Sequence, residues 1–271
     1  MKIVGKQEAT KQIDKIFGIF TNSLSKIRPH FVLTGPSGSG KSVTIKAMAK
    51  KHKVGYFEIN AAQLTKEGTS GNSLSKALTP LLNHGGKPTV CFVDEFDKLF
   101  ISGNSNSELA HESTNGVQNE FLKVLESDTA TVFGDYGKYV EASASNILFI
   151  FAGAFNGEED IDIDRLRDLG IKTEFLGRVG LAYNLTKLTL DDLFEILDHS
   201  ELLETYLELF TDSDKEKTVL EIKAHLQKIY PNNTLGARII TSLINQYFIN
   251  GGLTEKEVKQ ITFQNKMKLK D

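Results

Sequence analysis

Residues 35–42 read GPSGSGKS, a complete G-x-x-x-x-G-K-[ST] phosphate loop. Its spacing carries a definite chemistry. Gly35, Pro36, Ser37, Gly38, Ser39 and Gly40 supply a loop whose backbone N–H groups converge on a phosphate, and the glycines permit an approach that a Cβ would block. Lys41 places an ammonium on the β/γ oxygens, and the Ser42 hydroxyl is a ligand for Mg²⁺. A dinucleotide fingerprint fits less well, because Val43 stands where Gly38-x-Gly40 needs a third glycine. The second motif is VCFVDE, residues 90–95. Asp94 ends an apolar run and offers a carboxylate to the metal through water, and Glu95 can take a proton from the water that attacks the γ-phosphate. Together the motifs imply Mg²⁺-dependent ATP hydrolysis, with a kinase or a GTPase as the formal alternatives. Nothing in the chain matches the N-K-x-D stretch that reads guanine.

These residues need strands to end at them and a helix to begin at them. Residues 30–34 (HFVLT), 56–60 (YFEIN), 89–94 (TVCFVD) and 146–152 (NILFIFA) read as strands. Two are nearly continuous apolar runs, which suits a sheet covered on both faces. Helical patterns lie between them, at 42–51, 73–83 and 116–127. The alternation predicts an α/β fold: a parallel P-loop sheet with helices on both faces. After about Leu185 strand-like runs stop. Thr189 with Asp192 reads as a capping box, and further helices are expected at 201–210, 217–229 and 235–249. This predicts a large α/β domain over 1–187 and a small all-α lid over 188–271. The polar stretch 101–115 (ISGNSNSELAHESTN) reads as a long functional loop containing His111 and Glu112.

Composition sets the outer limits. The chain has 271 residues, 32 Lys+Arg against 35 Asp+Glu, and a formal net charge of −3. This near-neutral balance argues against a surface built wholly for nucleic acid, while leaving room for a local basic patch. The single cysteine, Cys91, excludes an intrachain disulfide framework and a multi-cysteine zinc site, and its apolar setting predicts a packed thiol. MKIVGKQEAT lacks the apolar core of a signal peptide, and no run is long enough to span a membrane. The expectation is a cytoplasmic protein without membrane association.

In six ordered blocks the sequence resembles the AAA+ ATPases, specifically the ClpX/HslU branch of hexameric unfoldases. The blocks are IVGKQEATKQI, AQLTKEGTSGNSL, GVQNEFLKVLES, NILFIFAGAF, DLGIKTEFLGRVG and LGAR, and the similarity runs from about Ile3 to Ile249. The resemblance implies that the backbone at Val4 and Gly5 lies near the adenine. It implies that Arg178 is an arginine finger reaching the γ-phosphate of a neighbouring subunit, and that Arg238 is a sensor on the lid that touches the nucleotide of its own subunit. A finger acting in trans implies a homo-oligomeric ring, a hexamer. At the family's sensor-1 position Gly153 and Ala154 have no polar side chain, which leaves Asn156 as the candidate.

The departures from the family shape the expected partner. Where the branch carries an aromatic–aliphatic pore pair, this chain has Gly68-Thr69-Ser70-Gly71, and two small hydroxyl side chains transmit little steric force to a threaded polypeptide. A short acidic segment, NGEEDIDIDRLR, stands where the peptidase-docking loop is expected, and with a single cysteine these 271 residues are expected to hold the ATPase module without the branch's four-cysteine zinc domain. The resulting expectation is a ring that remodels a protein partner without a Clp-type peptidase. The alternatives are a nucleic-acid-associated loader or motor and an ATP-switched assembly scaffold.

Overall fold

The computed structural model describes residues 8–65, 72–84, 86–100, 108–134, 137–210 and 213–253. The chain divides into two compact units. Among the described residues, one holds 8–186 apart from Ser37–Ser39; the other holds 187–253 and counts that short loop tip with it.

The first unit is built on a parallel sheet. Its elements in chain order are α1 (Glu8–Asn22), β1 (Phe31–Thr34), α2 (Lys41–Lys51), β2 (Gly55–Asn60), α3 (Leu74–Ala77), β3 (Thr89–Asp94) and α4 (Glu108–Glu126). There follow β4 (Thr129–Phe133), β5 (Tyr139–Ser143), β6 (Ile147–Ala152), α5 (Ile163–Asp168), α6 (Thr173–Val179) and β7 (Ala182–Asn184). Among the described residues, five strands form one sheet in the order β2-β3-β6-β1-β7, and β4 and β5 form a separate antiparallel hairpin. Every pairing in the large sheet is parallel. The α/β P-loop architecture predicted from the alternating pattern is therefore the one observed.

Burial explains the composition of the strands. Every residue of β6, ILFIFA, is buried, because the strand lies between β3 and β1 with helices on both faces. Val32, Cys91, Val93, Phe149 and Phe151 face a core closed by Phe121 and Phe175 of α4 and α6. Residues of opposite parity, such as Phe31, Leu33, Phe92 and Ile150, point to the other face. Cys91 is fully buried, as its apolar strand implied, and burial pushes its thiol pKa well up.

Three sequence expectations need correction. The helix expected over 73–83 is a single turn, α3, followed by a 3₁₀ stretch at Thr79–Asn83, because Pro80 cannot donate a backbone hydrogen bond and ends the α-helical run. The loop expected over 101–115 is helical from Glu108 onward: α4 begins in polar sequence that lacks an apolar stripe, so His111 and Glu112 lie on helix backbone. The last helix begins at Arg238 and not at Leu235.

His30 sits 8% exposed at the foot of β1, where its Nδ1 accepts the backbone N–H of Phe149 at 3.0 Å. Burial, and then the charge of Arg28, push its pKa down to about 4. In the unfolded chain the ring titrates near ~6.5, so between these values the unfolded state binds a proton that the folded state does not. Stability must therefore fall as pH drops from ~6.5 towards 4, by about 3 kcal/mol from this group. We expect His30→Asn, whose amide oxygen can accept the same N–H, to flatten that acid slope in urea midpoints measured across this range. Parallel slopes for the two proteins would sink the assignment.

The second unit contains α7 (Leu190–Asp198), α8 (Glu201–Leu209), α9 (Lys215–Ile229) and α10 (Arg238–Asn250). The expected capping box is present. Thr189 accepts from the N–H of Asp192, whose carboxylate accepts from the N–H of Thr189 at 2.9 Å. Leu193, Leu197, Ile222, Leu226 and Ile244 form its core, and Tyr206 stacks on Phe248 at 4.7 Å. Among the described residues, no helix is long and apolar enough to cross a membrane.

Candidate functional site

The site forms at the carboxyl ends of β1 and β3, on the sheet edge where ligands of open parallel sheets bind. From Thr34 the chain enters the loop. Gly38 and Gly40 take φ of 72° and 90°, backbone that a side chain rarely tolerates. Gly40 is also the N-cap of α2, so no side chain caps that helix, and its first turn carries no acidic residue. An uncapped N-terminus with a positive dipole end presents backbone donors to an anion. Ser39 Oγ is buried with no hydrogen-bond partner among the described residues, which leaves one more donor in the loop.

Three side chains converge there. Lys41 Nζ donates to the carbonyls of Gly35 at 2.6 Å and Pro36 at 3.1 Å, which keeps the ammonium folded over the loop. Ser42 Oγ lies 3.4 Å from Asp94 Oδ2. A hydroxyl and a carboxylate this close make a hard-oxygen pair of the kind Mg²⁺ accepts, directly or through water. The cradle and this pair fit a nucleotide phosphate with its cation.

Glu95 follows in left-handed backbone, φ 55° and ψ 31°, and is exposed. Its N–H donates to Asp94 Oδ1 at 2.9 Å, so Asp94 uses one oxygen to hold the turn and directs the other towards Ser42. A non-glycine residue in this conformation costs of order 1–3 kcal/mol, which surrounding structure must offset. Next to it Phe96 is fully buried against Phe151 and Phe175, at 4.8 and 5.4 Å between ring centroids.

Of the remaining sequence candidates, Arg178 and Asn156 make no hydrogen bond with this cluster among the described residues, whereas Arg238 reaches the loop at Ser37. Arg178 is in the last turn of α6, exposed, donating Nη2 to Glu126 Oε1 at 3.1 Å. Arg238 opens α10 in the second unit, which also takes in the loop tip, and its Nη1 donates to Ser37 Oγ at 3.4 Å. Asn156 is exposed, with φ 57°, in the turn after β6. Val4, Gly5 and the segment Gly68–Gly71 lie outside the described residues. No group of His, Cys, Asp and Glu among the described residues could hold a metal ion by itself.

The sequence reading missed two polar anchors. Asp97, 1% exposed, accepts the N–H of Phe155 at 3.1 Å. Its signal in the sequence is the third acid of DEFDK, residues 94–98. Asn184, in β7, accepts from the Thr34 hydroxyl at the end of β1, and it exchanges hydrogen bonds with the backbone of Ile161 at 2.9 and 3.0 Å.

The model of the ATPase family associated with various cellular activities (AAA) matches residues 31–169, a span that holds the loop, Asp94, Glu95 and Asp97. The chain belongs to the AAA family of ATPases. Among its AAA relatives, it is 27% identical over 188 residues to the ATP-dependent Clp protease ATP-binding subunit ClpX of Treponema denticola, covering 65% of this chain and 44% of the relative. It is 29% identical over 267 residues to the ClpX subunits of Borrelia duttonii and Borrelia recurrentis, covering 81% of this chain and 61% of each relative. Within the AAA family the chain is thus ClpX-like, and it spans between 44% and 61% of the length of these relatives.

Proposed function

We propose that this AAA chain hydrolyses Mg²⁺-ATP as a subunit of a homo-oligomeric ring, a hexamer, and that turnover remodels a protein partner without an attached peptidase. The observation that carries the hydrolytic reading is the approach of Ser42 to Asp94 beside an uncapped helix whose first residue is Lys41. On this reading the loop amides and Lys41 bind the phosphates, and Ser42 with Asp94 holds Mg²⁺. The bound cation neutralises phosphate charge. Glu95 orients the attacking water and accepts its proton, which its exposed position permits. Arg178 compensates charge that develops at a neighbouring subunit's γ-phosphate, and Arg238 reports the nucleotide to a lid spanning 188–271. The similarity to ClpX supports the ring and the protein partner.

Steady-state ATPase assays test this directly, with unfolded protein, single-stranded DNA or double-stranded DNA added in turn and the assembly state followed by light scattering. We expect Mg²⁺-dependent turnover, nucleotide-dependent assembly and stimulation by unfolded protein. Stimulation by DNA alone would replace the proposed partner with a nucleic acid, and a strictly monomeric chain that still turns over ATP would remove the ring.

A further inference from the structure

The buried acid Asp97 has a place in the chemistry that neither its motif nor the phosphate site assigns. It belongs to the 3₁₀ turn Phe96–Leu99, for which Glu95 is the N-cap. Its side chain reaches into the turn after β6. There Oδ2 accepts the N–H of Phe155, and the α-carbon of Gly153 lies so close that a Cβ on it would come within 2.7 Å of Oδ1. Gly153 in turn donates its N–H to Leu33 O of β1 at 3.1 Å. One carboxylate therefore ties the end of β3 to the end of β6, which is itself bonded to the strand that carries the phosphate loop.

Burying a carboxylate is costly unless its oxygens are used, and the cation nearest in the ion pairs, Lys98 Nζ, is 3.7 Å away on a half-exposed side chain. An apolar residue would suffice if this position had merely to be filled. The turn it grips is also conformationally unfavourable, with Phe155 and Asn156 at φ 45° and 57°. The left-handed Glu95 stands two residues before Asp97, so strained backbone lies on both sides of the same carboxylate.

We propose that Asp97 is a positioning residue for hydrolysis: by clamping the turn after β6 to the turn that begins at Glu95, it fixes the distance from the Glu95 carboxylate to the phosphate loop. This rests on the ATPase reading and deepens it. Asp97 touches neither Lys41 nor the Ser42–Asp94 pair in the contacts above, so its loss should fall on turnover and spare nucleotide binding.

The test compares wild type, Asp97→Ala, Asp97→Asn and Gly153→Ala. Kinetic constants for ATP, affinity for a non-hydrolysable ATP analogue and hydrogen exchange at residues 153–157 are measured on each. For Asp97→Ala, kcat is expected to fall by about tenfold or more, with KM and analogue affinity within about threefold of wild type and faster exchange at Phe155. Asp97→Asn, which keeps an acceptor for Phe155, should recover most of the lost kcat. Gly153→Ala, which pushes on the carboxylate from the other side, should reproduce the kcat-selective loss even where Asp97→Ala fails to fold. Wild type that turns over ATP beside an Asp97→Ala protein of near-normal kcat overturns this proposal alone, as does analogue affinity that falls in step with kcat. Wild type without any turnover overturns the ATPase reading as well.

Discussion

Replacing Glu95 by Gln is expected to reduce ATP turnover by about 10²–10⁴-fold, the range for loss of a general base. The amide has the shape of the acid but cannot accept a proton at neutral pH. The backbone bond that Glu95 makes, from its N–H to Asp94 Oδ1, does not involve the side chain and survives the change. Ser42, Asp94 and Lys41 keep their arrangement, so a fluorescent ATP analogue should bind with affinity within about threefold of wild type. Loss of both binding and turnover would mean that Glu95 acts through the cradle, and turnover close to wild type would remove it from the chemistry.

Arg178→Ala carries the other large effect. An arginine that stabilises a transferring phosphoryl group is worth about 10³–10⁵ in rate, and homogeneous rings of the variant should lose turnover on that scale. Little stability should go with it, because its partner Glu126 makes an exposed ion pair that is strongly screened by solvent. Mixing supplies the decisive measurement. Arg178→Ala subunits retain an intact phosphate loop, whereas Lys41→Ala subunits retain the arginine but lack the ammonium that holds the phosphates. If Arg178 serves a neighbour's site, mixed rings regain turnover at interfaces where a Lys41→Ala subunit presents its arginine to an Arg178→Ala subunit. Turnover no greater than the sum of the two separate preparations would show that the arginine serves its own chain or none.

The legible part of the fold lay where residue type answers to one strong local demand. β6 throughout and β3 from Val90 to Val93 are apolar because neighbouring strands and helices on both faces leave no solvent side, and such runs announce themselves. The phosphate loop was equally plain, since its glycine positions and lysine are demanded by backbone geometry and charge together. The hairpin β4–β5 escaped because its strands are half-solvated: TATVF buries Ala130 and Val132 alone, and YVEAS buries Ala142 alone. β7 is three half-buried residues whose strand character comes entirely from pairing with β1. The start of α4 carries no apolar stripe, so periodicity could not reveal it. Asp97 and Asn184 were opaque for another reason. Each is an ordinary polar residue until tertiary structure closes a backbone turn around it.

The pairing of β1 has a consequence for how the protein is made. The strand that launches the phosphate loop hydrogen-bonds to β6, with Phe31 beside Ile150, and to β7, with Val32 beside Ala182. Both partners are synthesised long after it. Until they arrive, β1 has exposed apolar residues and no ladder, and the loop after it has no fixed end. Parallel pairing across such sequence separations gives high contact order and slow folding, and leaves aggregation-prone surface open meanwhile. Nucleotide therefore cannot act as an early template for this sheet. A nascent chain that has not yet delivered β7 should fail to hold ATP, so ligand stabilisation enters as the last step of maturation, when most of the large unit is already in place.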